Sequence, residues 1–276
     1  MCHKVLTIPR EEIEKCGMME LKVLGSEGEL FYEMALEMIH TIESNNREGQ
    51  KTVFICPVGP VGQYPILVRL VNANKISLKN VWFINMDEYL TDEKHWLPTD
   101  HPLSFRGYMQ REVYGKIASE LIMPPEQRIF PEPGREAAIW DKIRELGGAD
   151  AAFGGLGING HIAFNEPPEE DVDMTDDEFQ NLPTRILKIS RETRTINAVT
   201  ATGGTIAAMP SWCITIGMKE ILSARKIRLF CFREWQRGIV RQAAFGPVSR
   251  RVPASFLQQH PDAKIFLTET AAGLPF

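Results

Sequence analysis

Three short stretches of this chain bring together residue types able to move protons or hold an anion. The richest is Gly154-Gly-Leu-Gly157-Ile-Asn159-Gly-His161-Ile-Ala-Phe-Asn165-Glu166-Pro167. Its glycines let backbone approach a ligand, and an amide, an imidazole and a carboxylate follow closely. Asn159 Oδ1 or Glu166 can accept a hydrogen bond from one nitrogen of His161, which leaves the other free for acid/base work. Zinc is a poorer fit, because no second His or Cys stands at ligand spacing.

The second stretch, Asn85-Met-Asp87-Glu88-Tyr89, puts two adjacent carboxylates after the apolar run Val81-Trp-Phe-Ile84. In extended chain Asp87 and Glu88 face opposite sides, and Asp87 shares its side with Asn85. A carboxyl group there whose pKa is raised by burial can carry a proton to or from a carbon beside a carbonyl; a helix cap or loop hydrogen bond is the structural alternative. The third stretch is Gly59-Pro-Val61-Gly62-Gln63, whose glycines can offer backbone N–H groups to an anion at a helix start. Pro60 removes one donor, the pattern is neither a dinucleotide fingerprint nor a P-loop, and a plain turn explains it equally well.

The elements around these stretches form a pattern. Glu29 to Glu43 carries Leu30, Met34, Met38 and Ile42 at helical spacing, which predicts an amphipathic helix with a core-facing stripe. Thr52 to Cys56 reads as a strand that runs through a glycine turn into the helical Pro65 to Val71. Val81 to Ile84 and Ala149 to Phe153 repeat the theme, and further strands are expected at 185–189, 213–216, 226–232 and 264–267. Alternating strands and helices predict an α/β fold: a three-layer, open, mostly parallel, doubly wound sheet with helices on both faces. Ligands of such sheets bind beyond the carboxyl ends of the strands, where all three chemical stretches fall.

The 276 residues, 43% hydrophobic, contain no fixed-period repeat or low-complexity linker, so a single α/β domain over 1–276 is expected. Against that background Glu166 to Glu178 is anomalous: seven carboxylates crowd Glu169 to Glu178 with almost nothing apolar. An acidic loop at about 167–182 follows, either a solvated surface or a mobile cover beside the crevice. With 31 Lys and Arg against 36 Asp and Glu, the net charge of -5 gives no overall basic field for nucleic acid or an anionic membrane. No signal-like start and no apolar run of membrane-spanning length is seen, and the five scattered cysteines form neither a disulfide ladder nor a metal pair. These features predict a cytoplasmic protein. Cys56, Cys213 and Cys231, set in apolar runs, read as buried structural thiols.

Together, Asn-Met-Asp-Glu-Tyr (85–89), His101-Pro-Leu-Ser-Phe105, Gly-His-Ile-Ala-Phe-Asn-Glu-Pro (160–167), Thr184-Arg185 and Pro253-Ala-Ser-Phe-Leu257 with His260-Pro261 resemble the glucosamine-6-phosphate deaminase family, in that family's order. The resemblance spans about 50–270, and the His-Ile-Ala-Phe-Asn-Glu-Pro string separates these deaminases from the related 6-phosphogluconolactonases. It implies conversion of an amino-sugar phosphate and water to a ketose phosphate and ammonia, with no metal or organic cofactor. Asp87 would move a proton between C2 and C1. His161 would open the pyranose ring, and Glu166 would orient and charge-stabilise it. Arg237 stands at the place of the family's phosphate-binding lysine, where a guanidinium can grip two oxygens. Oligomers are frequent in that family, so a homo-oligomer is a further expectation of the resemblance.

Departures from the family pattern are equally specific. Asn159 replaces an aspartate partner of the histidine, and the analogous change in a serine-protease triad costs on the order of 10⁴ in turnover. The phosphate loop lacks its threonines, leaving Gly59, Val61, Gly62 and Gln63 as candidate contacts. Val199 stands where an arginine is usual, with Arg194, Arg191 and Arg185 nearby as candidate replacements. These changes predict an enzyme of this type with an altered anion site or substrate. The alternatives are a lactone hydrolase with His161 as base, or a sugar-phosphate-binding relative that has abandoned catalysis.

Overall fold

A computed structural model describes residues 2–15 and 17–276, without the side chains of Cys2 and His3, so for Cys2 and Cys16 the reading that the five cysteines form neither a disulfide ladder nor a metal pair lies outside what it describes. A seven-stranded, wholly parallel sheet organises the chain. Its strands are β1 (Glu20–Leu24), β2 (Thr52–Cys56), β3 (Val81–Asn85), β5 (Arg128–Ile129), β6 (Ala151–Gly154), β9 (Ile227–Cys231) and β10 (Ala263–Thr268), ordered β1-β10-β9-β6-β2-β3-β5. The apolar runs are continuous because both faces are covered. Along β2, Val53 and Ile55 enter one core while Phe54 and Cys56 enter the other; β9 divides Leu229 and Phe230 in the same way. Phe54, Phe83 and Phe153 interlock on the second face, with the Phe54 and Phe153 rings edge-on at 5.2 Å.

Helix Glu27–Arg47 covers that second face, burying Leu30, Met34, Met38 and Ile42 as the spacing predicts, and its N-cap Ser26 accepts from Glu29 N. Helix Gln236–Phe245 covers the opposite face with Val240, Ala243 and Ala244. The expected parallel sheet with helices on both faces is therefore present. β1 and β5 add two edge strands that the sequence pattern does not reveal: β5 is two residues long, and β1 has only one fully buried side chain.

Other strands leave the main sheet. β4 (Asp87–Leu90), β8 (Trp212–Thr215) and β7 (Arg185–Lys188) form a separate antiparallel sheet, ordered β4-β8-β7. The change of sheet happens at Met86, whose N donates to Cys56 O at the end of β2 and whose O accepts from Ile216 N beyond β8, at 2.9 and 2.8 Å. This corrects the reading of Asn85 and Asp87 as neighbours on one side. Asn85 ends β3 and turns to Tyr114 Oη and Ile129 O, while Asp87 begins β4.

The acidic stretch is partly helical. Thr175 and Glu178 form a reciprocal capping box that starts helix Asp176–Gln180, and Asp176 pairs with Arg250. Among the described residues no helix is long and apolar enough to cross a membrane. Cys56, Cys213 and Cys231 are buried and unpaired, and burial pushes each thiol's pKa up.

Candidate active site

A cavity of about 560 Å³ opens beyond the carboxyl ends of β2, β3, β6 and β9. Each strand contributes the turn that follows it: Pro57 to Gly62 after β2, Met86 and Asp87 after β3, Gly155 to Gly157 after β6, and Phe232 and Arg233 after β9. The loop 102–105 and one side of helix Arg191–Ala201, through Asn197, Thr200 and Ala201, close the remaining walls.

Asp87 is 7% exposed, its backbone paired opposite Thr215 in β4–β8, and its carboxyl group has no hydrogen-bonding partner among the described residues. Burial pushes its pKa up to about 8, and the neighbouring Glu88 charge adds to the rise. Glu88 points the other way, as strand alternation requires. Its carboxylate accepts from Tyr89 N, Ser104 Oγ, Phe105 N and Arg106 N at 2.8–3.1 Å, so it fixes the 102–105 wall. The two adjacent carboxylates thus divide their work: one lines the cavity and the other braces it.

His161 lies on the same cavity, 9% exposed. Its Nδ1 is 2.7 Å from Asn159 Oδ1, which also accepts from the His161 backbone N at 3.3 Å. Because a backbone N–H can only donate, the shared atom must be the amide oxygen, and Nδ1 must carry the proton. Nε2 then presents a lone pair and has no protein partner among the described residues. Burial holds this imidazole below its ordinary 6.5, against the Glu166 charge, which acts in the opposite direction. Gly157 is required beneath it: a Cβ there would stand 2.1 Å from His161 Nε2 and Cε1.

Glu166 does not touch His161. Its Oε2 accepts from Ser190 N at 2.8 Å and its Oε1 from Ser190 Oγ at 2.5 Å, which docks the carboxylate on the capped start of helix Arg191–Ala201. Thr193 Oγ1 donates to the same Oε1 and lies 3.4 Å from His161 Nδ1, so the carboxylate reaches the ring through this hydroxyl. Asn165 holds the whole turn, donating to Ile162 O and Ile216 O while its Oδ1 accepts from Arg185.

A buried carboxyl group whose pKa is pushed up to about 8 and an imidazole with a free Nε2 thus line one cavity, an arrangement able to exchange protons with a ligand. No family model matches the chain. The glucosamine-6-phosphate deaminase of Rhodopirellula baltica is 34% identical over 220 residues, covering 78% of this chain and 80% of that one. This chain belongs to the glucosamine-6-phosphate deaminase family. A solved monomeric glucosamine-6-phosphate deaminase superposes with a TM-score of 0.78 at 26% identity, over 92% of this chain and 99% of that one. The 6-phosphogluconolactonase of Trypanosoma cruzi, at 16% identity and a TM-score of 0.66 over 92% and 96%, shares the fold.

The anion end of this deaminase-family site departs from the sequence expectations. Gly59, Val61 and Gly62 line the cavity, but Gln63 is fully buried with its Nε2 on Pro60 O, so it braces the loop from behind. Gly62 has a packing reason to be glycine: a Cβ would lie 2.3 Å from the Phe31 ring. Arg194 is spent on the carbonyls of Ile206 and Met209, and Val199 is exposed and off the cavity. Arg185 and Arg191 do not line it either, nor does any residue of the acidic 167–182 stretch.

Arg237 is the largest correction. Its Nε donates to Thr270 O and its Nη1 to Leu274 O, and it pairs with Glu234. The physical cause is the end of the short helix Glu269–Ala272, whose free carbonyls draw guanidinium donors. Arg241 joins it there, donating to Ala272 O and Gly273 O. Among the described residues, Glu27, Asp87 and Arg233 supply the charged side chains on the cavity wall. No group of three or more His, Cys, Asp or Glu able to hold a metal ion occurs among them.

Proposed function

We propose that this protein isomerises and deaminates an amino-sugar phosphate of the glucosamine 6-phosphate kind, acting as one α/β unit in the cytoplasm and needing no cofactor. The observation that carries the reading is the pairing of Asp87 with His161 on one cavity wall, inside a chain of the deaminase family. The burial of Cys56, Cys213 and Cys231 without disulfide partners supports the compartment.

In this reading His161 Nε2 takes the proton of the anomeric hydroxyl and returns it to the ring oxygen, which opens the pyranose to an aldehyde. Ionised Asp87 then removes the proton at C2 as O1 takes up a proton, giving an enolamine. It delivers its proton to C1 as the amine nitrogen gives up one proton in balance for that on O1, so that C1 becomes a primary alcohol and C2 an imine. Water adds at C2, the C–N bond breaks, and a ketose phosphate and ammonia leave. Asn159 keeps the imidazole in the tautomer this requires, while Glu166, through Thr193, supplies the negative charge that the aspartate of other family members would place next to the ring.

The test follows ammonia and fructose 6-phosphate together from glucosamine 6-phosphate, with 6-phosphogluconolactone as a parallel substrate. Equal release of the two products supports the proposal. Acid released from the lactone without ammonia from the amino sugar means hydrolysis on the same fold, and ligand-induced stabilisation without turnover means a binder.

A further inference from the structure

The cavity wall carries Asp87 and His161 together with the Gly59 to Gly62 turn, and the residue that stands at the family's phosphate-binding position, Arg237, is committed elsewhere. A dianionic phosphate needs a replacement. A chain of ring contacts leads to it. The Phe31 ring occupies the space a side chain at Gly62 would take, the Phe232 ring meets Phe31 edge-on at 5.1 Å, and the Arg233 guanidinium lies 4.5 Å from the Phe232 ring. Arg233, exposed to solvent, thus lines the same cavity as the glycine turn, is connected to it through two aromatic rings, and has no side-chain hydrogen bond among the described residues.

Its backbone is fixed as well. Gln236 Oε1 accepts from Phe232 N and Arg233 N at 2.8 and 2.9 Å, and Gln236 Nε2 donates to Leu156 O at 2.7 Å, so one buried side chain ties the turn after β9 to the turn after β6. Among the described residues Arg233 forms no ion pair, and it is the one Lys or Arg on the cavity wall.

The geometry points to Arg233, in place of Arg237, as the cation that grips the phosphate of the substrate, with the backbone of the Val61–Gly62 turn completing the cradle. The inference rests on the amino-sugar phosphate reading, but it can be tested without turnover. A planar guanidinium takes two phosphate oxygens at once, which lysine cannot do.

The experiment measures binding of glucose 6-phosphate, which lacks the amine and cannot be deaminated, to the full-length protein by calorimetry, for wild type, Arg233→Gln and Arg237→Gln. Arg233→Gln is expected to weaken glucose 6-phosphate binding by about tenfold to a hundredfold, and Arg237→Gln to change it less than about twofold. Arg233→Lys should recover only part of the loss. Unchanged affinity in Arg233→Gln, a loss confined to Arg237→Gln, or no wild-type binding at all overturns the assignment. Arg233-dependent binding in a protein that releases no ammonia would keep the assignment and overturn the reaction.

Discussion

The hydroxyl of Thr193 stands between the Glu166 carboxylate and the His161 imidazole, donating to Oε1 on one side and lying 3.4 Å from Nδ1 on the other. With its only proton given to the carboxylate, Thr193 Oγ1 can serve the ring solely as an acceptor. It therefore reinforces the Nδ1–H tautomer that Asn159 Oδ1 selects. Thr193 is a positioning residue: it carries the Glu166 charge to a histidine whose direct partner is neutral.

Thr193→Val keeps the shape and removes that link. A hydrogen bond to a charged group contributes about 1.5–3 kcal/mol, so kcat should fall roughly tenfold or more with KM little changed. Thr193→Ser should restore it. Steady-state ammonia release with its pH profile checks this, and equal kcat and profile in Thr193→Val would reduce Thr193 to a packing residue.

Asp87 makes the fold sensitive to alkali. The folded carboxyl group keeps its proton to about pH 8, whereas the unfolded chain releases it near the ordinary 3.8, so between these values unfolding releases a proton. Stability from this group is therefore full in acid, declines as pH rises from about 4, and stops declining above about 8. Asp87→Asn should melt higher than wild type by a few degrees at pH 8.5, with the difference vanishing near pH 4, while losing activity. A melting difference that is flat in pH would count against a buried, protonated Asp87.

Gly157→Ala should remove more than about 10² of kcat, because the new methyl group would occupy the place of the His161 ring edge and push it off its line. The fold itself should persist, since the glycine sits in a turn lining the cavity. Activity near wild type would mean that the ring works from another position.

Much of this was legible in the residues. Continuous apolar runs ending in glycine or polar turns announced the parallel sheet, and Asp87, Asn159 and His161 stand on or beside the cavity that this sheet creates. Short-range spacing could not show where long side chains go. Arg237 was read from its place in a motif, yet its direction depends on carbonyls more than thirty residues later, at the end of the chain's last helix. Thr193 gave no signal either, because its role exists only once helix Arg191–Ala201 docks its capped end on Glu166. One clue to the second sheet was present: a strand ending in two carboxylates cannot bury both on one face, and Glu88 and Asp87 end in different environments. The loss of the loop threonines, at Gly59 and Gly62, did signal a changed anion site, but only the fold reveals the Phe31-Phe232-Arg233 stack on which the proposed replacement rests.

The most direct test is the pH dependence of kcat/KM for ammonia release from glucosamine 6-phosphate, measured between pH 6 and 9.5 for wild type and Asp87→Asn. The account predicts equal ammonia and ketose phosphate, a rise governed by an apparent pKa near 8 as free-enzyme Asp87 ionises, and no release by the variant. Ammonia release by Asp87→Asn at the wild-type rate, with the same pH dependence, would contradict it.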